Sequence, residues 1–309
     1  MVGVLGECSD GSFQGIQMKR PFKVAITGGK GGTGKSTVAC SLAVAMADEF
    51  RVLLVDADVE CPDDHVILPI IREKSNDVTL EVPCFVESTC SMCGRCSDVC
   101  RENALFHVDG MPPTLFEDRC NGCGTCVLAC PTGSIKTRDK VIGSIYEGIP
   151  DWGSERVMEN FRLLSGESII GTASSATVVD ALMDKAEQEG DFDFIIVDTP
   201  AGLHCNVIRA LMRSHMALAV TEPTPLGVHD LKLILALLDG MGLESMIVIN
   251  RYGVGDPDIV YDVAHQKKVP VAARIPYSEE TMRAYSEGRP HELREINEIV
   301  DLLVMRCLI

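Results

Sequence analysis

Phe22-Lys23-Val24-Ala25-Ile26-Thr27-Gly28-Gly29-Lys30-Gly31-Gly32-Thr33-Gly34-Lys35-Ser36-Thr37 runs from a short β-prone segment into a glycine-rich loop. From Gly29 to Ser36 the loop has the form G-x4-G-K-[ST]. Its glycines leave room for backbone N–H groups to close around phosphates. Lys35 is then expected to reach the β- and γ-phosphates, and the Ser36 hydroxyl to reach Mg²⁺. Beyond the loop Val38, Leu42, Ala45 and Met46 recur at helical spacing, so a helix is expected from Lys35 to Phe50. Strand before and helix after is the setting in which this loop binds a nucleotide.

Outward from the loop the alternation continues. Arg51 to Asp56 is an apolar, strand-like run ending in an acid. Further strand candidates are Ser168 to Ala173, Phe194 to Asp198, Met216 to Thr221, Met246 to Asn250 and Val269 to Ile275. Helix candidates between and after them include Thr177 to Glu189, Leu231 to Met241 and Glu292 to Met305. Continuous apolar strands separated by amphipathic helices predict an α/β fold of the P-loop NTPase type: a mostly parallel sheet covered by helices on both faces.

The pattern stops between about residues 80 and 147. Here Cys90, Cys93, Cys96 and Cys100 read C-x2-C-x2-C-x3-C, and Cys120, Cys123, Cys126 and Cys130 repeat that spacing 30 residues later, with Pro131 following. Paired C-x2-C also builds tetrahedral zinc sites. The four-cysteine form, present twice and ending in Cys-Pro, favours iron–sulfur ligation. So few apolar residues cannot stabilise the segment alone, which argues for a piece folded around its metal centres. The expected organisation is a flexible N-terminal tail (1–21), an ATPase domain in two pieces (22–80 and 148–309) and an inserted domain (81–147). Of the remaining cysteines, Cys40 lies on the apolar side of the first helix and is expected in the core.

The second lysine of the loop, Lys30, narrows the reading. Lys-Gly-Gly-x-Gly-Lys-[Ser/Thr] resembles the deviant phosphate loop of the MinD/ParA superfamily. Val55-Asp56-Ala57-Asp58 resembles its switch I acids, and Asp198-Thr199-Pro200-Ala201-Gly202 its Walker B and switch II segment. Asn250-Arg251 resembles its adenine-binding pair; within the superfamily the chain most resembles MinD-like ATPases with an inserted two-cluster ferredoxin domain, whose Glu-Pro-Thr-Pro stretch also appears here as Glu222-Pro223-Thr224-Pro225. The resemblance implies an ATP- and Mg²⁺-binding site made by Gly29, Lys30, Gly31, Gly32, Thr33, Gly34, Lys35, Ser36, Thr37, Asp56, Asp58, Asp198, Asn250 and Arg251. It implies catalytic roles for Lys30, Lys35 and Asp58: Lys30 acting on a partner subunit's nucleotide, Asp58 positioning the attacking water. Asp198 would hold Mg²⁺ through water, with Ser36 a direct ligand.

The cysteine runs resemble those of two-cluster ferredoxins, where the fourth cysteine of each run serves the other cluster. That resemblance implies two [4Fe–4S] clusters, one on Cys90, Cys93, Cys96 and Cys130, the other on Cys120, Cys123, Cys126 and Cys100. Cys205, seven residues after Asp198, lies near where the nitrogenase iron protein of the superfamily has a cluster ligand. One such cysteine per subunit supplies only two thiolates to a shared group, so ordinary packing is expected of it.

Of the 309 residues 28 are Lys or Arg and 45 Asp or Glu, a net charge of −17. A strongly acidic surface repels polyanions, so no nucleic-acid partner is expected. No run of eighteen apolar residues occurs, and no stable membrane anchor is expected. Fourteen cysteines beside a phosphate loop suggest a reducing, cytoplasmic setting rather than a disulfide scaffold. The expected protein is an Mg-dependent ATPase, an ATP-dependent homodimer or a heterodimer with a paralogue, passing electrons to a redox partner protein. Cluster assembly or delivery, and MinD-like spatial organisation with redox-sensing clusters, are the alternatives.

Overall fold

The computed structural model describes residues 20–172, 174–287 and 293–307. All but the last two residues of the expected 1–21 tail lie outside that range. In chain order the strands are β1 (Phe22–Thr27), β2 (Val52–Asp56), β3 (Arg72–Phe85), β4 (Leu105–Phe106), β5 (Thr114–Leu115), β6 (Ile135–Gly148), β7 (Phe161–Ser168), β8 (Phe194–Asp198), β9 (Met216–Thr221), β10 (Glu244–Tyr252) and β11 (Val271–Pro276). The helices are α1 (Lys35–Ala47), α2 (Asp64–Ile67), α3 (Arg95–Asp98), α4 (Thr125–Ala129), α5 (Glu155–Asn160), α6 (Ser175–Gln188), α7 (Cys205–Leu211), α8 (Pro225–Met241), α9 (Asp258–Lys267), α10 (Glu279–Ser286) and α11 (Ile296–Cys307).

Nine strands form one sheet in the order β11-β10-β9-β1-β8-β2-β7-β6-β3. From β11 to β7 every neighbour is parallel, whereas β6 and β3 close the far edge antiparallel. Along β1 the side chains alternate between two cores. Val24 and Ile26 pack with α1 and α11, while Ala25 faces the side covered by α7, α8 and α9. Leu54 and Leu53 divide in the same way on β2, Leu53 joining α6. Both faces are covered, so strands such as β2 and β8 are buried throughout and read as unbroken apolar runs.

Local signals account for several boundaries. Helix α8 starts at Pro225, six residues before the expected Leu231, because Thr224 Oγ1 accepts from the Gly227 N–H and proline suits a first helical turn. It ends at Gly242, whose φ of 65° is the left-handed cap. One expectation is overturned: the strand placed at Ser168 to Ala173 is β7, Phe161–Ser168. Phe161, Leu163 and Leu164 are buried, while Ile169 and Ile170 are exposed; the apolar pair in the sequence marks a turn. Helix α11 begins at Ile296, and Glu292, its expected start, lies outside the described residues.

The cysteine segment sits at the end of a two-stranded ribbon. β3 and β6, fourteen residues each, pair from Arg72↔Gly148 to Phe85↔Ile135. At its base β6 hydrogen-bonds β7, so the ribbon continues the main sheet. At its tip are α3, α4 and a β4–β5 hairpin around a small core of Cys96, Leu105, Cys126 and Ile135. The boundaries expected at 80/81 and 147/148 therefore fall inside paired strands rather than in linkers.

Candidate functional site

The phosphate loop joins β1 to α1, with Gly34 at its turn. Gly34 has φ 89°, and a Cβ there would lie 2.1 Å from Asn250 Nδ2. Both facts exclude a side chain, and they bring Asn250 to the loop, where its amide donates to the Thr33 carbonyl at 2.8 Å. Lys35 is buried at the start of α1, its ammonium 3.4 Å from the Lys30 carbonyl. A cleft of ≈ 230 Å³ opens beside the loop, lined by Gly34, Lys35, Ser36, Thr37, Asn250 and Arg251 among others. Gly29, Gly31 and Gly32 complete the loop, and no heavy atom approaches within 4 Å of a Cβ built at Gly31 or Gly32. That open side is where a phosphate can come close to backbone N–H groups.

The acids gather opposite Lys35 because parallel strands end together. Asp56 and Asp198 are register partners at the ends of β2 and β8, and both are buried. Burial pushes the Asp198 carboxyl up to about 7, with the nearby Ser36 hydroxyl and Lys35 opposing the rise and Asp63 and Asp58 adding to it. Burial likewise raises Asp56 well above the carboxylate range, helped by the neighbouring Asp198 charge. Asp58 is raised more modestly, since Lys35 offsets part of its burial.

Two acids not anticipated from the sequence join them. Carboxylate oxygens of Asp56, Asp63 and Asp64 lie within 4.8 Å of one another. Asp64 opens α2, its N–H donating to Asp56 Oδ2 at 3.3 Å and its Oδ1 accepting from the buried Cys40 thiol at 3.2 Å. The Asp63-Asp64 pair was visible in the chain, but its distance from Asp56 is set by the turn between β2 and α2. Both Asp198 carboxyl oxygens and Asp64 Oδ2 are buried without a hydrogen-bond partner. Orphaned carboxylates beside a phosphate loop and a serine hydroxyl fit a hard divalent cation such as Mg²⁺.

Lys30 points to a third acid. Its ammonium donates to Glu222 Oε1 at 2.7 Å, Arg251 Nη1 donates to Glu222 Oε2 at 3.0 Å, and Thr224 Oγ1 donates to Glu222 Oε1 at 3.2 Å. Burial works against a charge on Glu222, yet these partners hold its carboxyl below the usual range. Glu222 belongs to the Glu-Pro-Thr-Pro stretch, noted in the sequence without a role.

At the ribbon tip the eight cysteines divide between two pockets. Cys90, Cys93, Cys96 and Cys130 line one; Cys100, Cys120, Cys123 and Cys126 line the other. Each pocket thus takes three thiols from one run and the fourth from the other. Gly94 and Gly124, at φ 74° and 69°, turn the chain into α3 and α4 just before Cys96 and Cys126. All eight are free thiols. Four converging sulfurs in a partly buried pocket are a donor set for a soft metal centre. Cys205 is exposed in the first turn of α7 and is not packed into the core; Cys40 is buried there.

Residues 24–291 match the sequence profile of the CobQ/CobB/MinD/ParA nucleotide-binding domain. The chain belongs to that family. It is a P-loop ATPase of the MinD/ParA superfamily. An uncharacterized protein of Methanocaldococcus jannaschii, MJ0579, is 34% identical over 298 residues, spanning 93% of this chain and 99% of that one. The septum site-determining protein MinD of Helicobacter pylori is 22% identical, over 86% of this chain and 82% of its own. Among solved structures, Aquifex aeolicus MinD superposes with a TM-score of 0.55 at 18% identity, covering 92% of this chain and 96% of that one. MinD of Pyrococcus horikoshii, complexed with Mg-ADP, gives 0.51 at 21% identity, covering 87% of each. These likenesses carry the fold. Among the described residues no helix is long and apolar enough to cross a membrane.

Proposed function

We propose that this chain is an Mg-dependent ATPase whose nucleotide state is coupled to two [4Fe–4S] clusters, and that it gates electron transfer to a partner protein. The observation that carries the reading is the division of eight thiols into two sets of four, each drawn from both runs. When bound, the clusters supply one-electron chemistry. The chain's own residues do the rest. Lys35 and the loop N–H groups hold phosphates; Ser36 and Asp198, with Asp56 nearby, hold Mg²⁺; Asp58 positions the attacking water; Asn250 and Arg251 border the base. Lys30 acts on the nucleotide of a second subunit, a copy of this chain or a paralogue, where an added cation stabilises charge on the transferred phosphoryl group.

The acids that would respond to the nucleotide lead directly into the ribbon. Asp58, Asp63 and Asp64 precede β3, and the Ser168 N–H at the end of β7 donates to the Val59 carbonyl at 2.7 Å. That bond ties the residue after Asp58 to β7, which pairs with β6 of the ribbon, so a change at Asp58 can reach the ribbon.

Anaerobically purified protein is expected to hold close to eight irons per chain, four for each cysteine set. Two zincs and little iron would overturn the cluster reading. The MinD-named relatives favour a second reading, spatial organisation with sensory clusters. Nucleotide-dependent reduction of a purified partner supports the first; nucleotide-dependent localisation without electron transfer supports the second.

A further inference from the structure

The two cysteine runs repeat at an offset of 30 residues, so each position in one has a counterpart in the other. Asn103 and Gly133 both take left-handed backbone, φ 50° and 63°, so the turn after the fourth cysteine has a similar shape in both. Its side chains differ. Four residues after Cys130 stands Ser134, and four after Cys100 stands Ala104. Two residues after Cys130 stands Thr132, and two after Cys100 stands Glu102.

Ser134 is 2% exposed, with its hydroxyl 3.2 Å from Cys130 Sγ. Thr132 Oγ1 donates to Ser134 Oγ at 3.1 Å. A thiolate has no proton to give, so Ser134 donates to the sulfur and Thr132 donates to Ser134. Thr132 Oγ1 also lies 3.6 Å from Cys130 Sγ, so the two hydroxyls polarise one another beside the sulfur, Ser134 buried and Thr132 at the exposed rim. Cys100 Sγ accepts the backbone N–H of Ala104 at 3.3 Å, and Ala104 brings no hydroxyl. Glu102 instead lines the pocket of Cys100, Cys120, Cys123 and Cys126, held there by Asn121 at 3.1 Å. Among the described residues the hydroxyl contact on that side, Thr125 Oγ1 to Cys123 Sγ, is longer at 3.4 Å and exposed to water.

Hydrogen bonds to ligand sulfur favour the reduced state, which carries one more negative charge, and a nearby carboxylate disfavours it. We propose that the two sulfur sets are unequal: Ser134, backed by Thr132, makes the Cys90, Cys93, Cys96 and Cys130 set the first to accept an electron, while Ala104 and Glu102 keep the other set at lower potential. Each set takes one electron from an external reductant, with no bond made or broken. An electron arriving at the Cys100 set then runs downhill to the Cys130 set. The proposal rests on the cluster reading above.

The test is a redox titration of the full chain, followed by electron paramagnetic resonance, with iron measured on the same samples. Wild type is expected to show two one-electron waves. Ser134→Ala should move the upper wave to lower potential and leave the lower wave in place, and Thr132→Val should do the same to a smaller extent. The reciprocal Ala104→Ser and the charge-removing Glu102→Gln should each raise the lower wave. Full iron content with neither wave moved by Ser134→Ala, or with only the lower wave moved, overturns the proposal and leaves the cluster reading standing. If Ser134→Ala fails to hold iron, Ala104→Ser decides: an unmoved lower wave overturns it. Wild type holding zinc and no iron brings down the cluster reading, and the proposal with it.

Discussion

Lys30 and Glu222, 192 residues apart, form an ion pair of 2.7 Å within one chain, and Glu222 binds Arg251 with its other oxygen at 3.0 Å. The loop lysine and an arginine bordering the nucleotide cleft therefore share one carboxylate. A lysine so held cannot serve a second subunit's nucleotide until Glu222 releases it. The two side chains are only 25% and 12% exposed, but when Lys30 leaves, Arg251 and Thr224 remain as partners of the Glu222 carboxylate.

Lys30→Ala is expected to bind ATP nearly as wild type does but to lose ATP-dependent dimerisation and most hydrolysis. Glu222→Gln, which removes the charge and keeps the shape, should dimerise at a several-fold lower concentration of a non-hydrolysable analogue. Sedimentation of the three proteins with and without the analogue checks both. If Lys30→Ala dimerises like wild type, the two-subunit role of Lys30 is wrong.

Lys35→Ala should abolish nucleotide binding, because it removes a buried ammonium whose proposed role is to hold the phosphates. Asp58→Ala should leave binding largely intact while slowing hydrolysis at least tenfold. Calorimetric binding and phosphate release, measured on both variants, separate the roles; equal loss of binding would show that Asp58 holds nucleotide or metal instead.

Asp198 sets a pH dependence. Its folded-state pKa, about 7, lies above the ordinary aspartate value of about 4, so the folded chain binds the proton more tightly than the unfolded one. Its effect on stability is most favourable at low pH and is lost as pH rises from about 4 to about 7. Without Mg²⁺ and nucleotide, Asp198→Asn should therefore be more stable than wild type at pH 8, on the order of 1–3 kcal/mol, with the gap closing toward pH 4. Urea unfolding at the two pH values tests this; a gap that widens in acid would contradict it. The same variant should lose Mg-dependent hydrolysis.

Gly166 on β7 packs beneath the residue after Asp58. A Cβ there would lie 2.7 Å from Val59 Cγ1 and 3.2 Å from Leu182 Cδ2, both within a buried cluster. Gly166→Ala should cost roughly 1–3 kcal/mol through overpacking and lower the melting temperature by several degrees. An unchanged melting curve would mean that this packing is looser than the contacts imply.

Much of the fold was legible because its signals are local. Val24 to Thr27 leads into glycines, and Phe194 to Asp198 and Met216 to Thr221 are apolar runs that the structure keeps as strands with the same ends. Phe161–Ser168 was missed because Arg162, Ser165 and Gly166 interrupt the apolar run, and Ile169-Ile170 beside it gave a stronger but misleading signal. The start of α8 was missed because capping by Thr224, not apolar periodicity, sets it.

The sequence by itself determined the phosphate loop and the two thiol runs, since both depend on residues a few positions apart. Gly34, Lys35 and Ser36 are placed by one turn and the helix it opens; Cys90, Cys93 and Cys96 are placed by two short steps of chain. Tertiary structure alone decided that Asp56 lies beside Asp198 and that Glu222 holds Lys30 and Arg251 together. The reason is register. Parallel strands ending at one level bring residues more than a hundred positions apart within hydrogen-bonding reach, and no local pattern records which of them will meet.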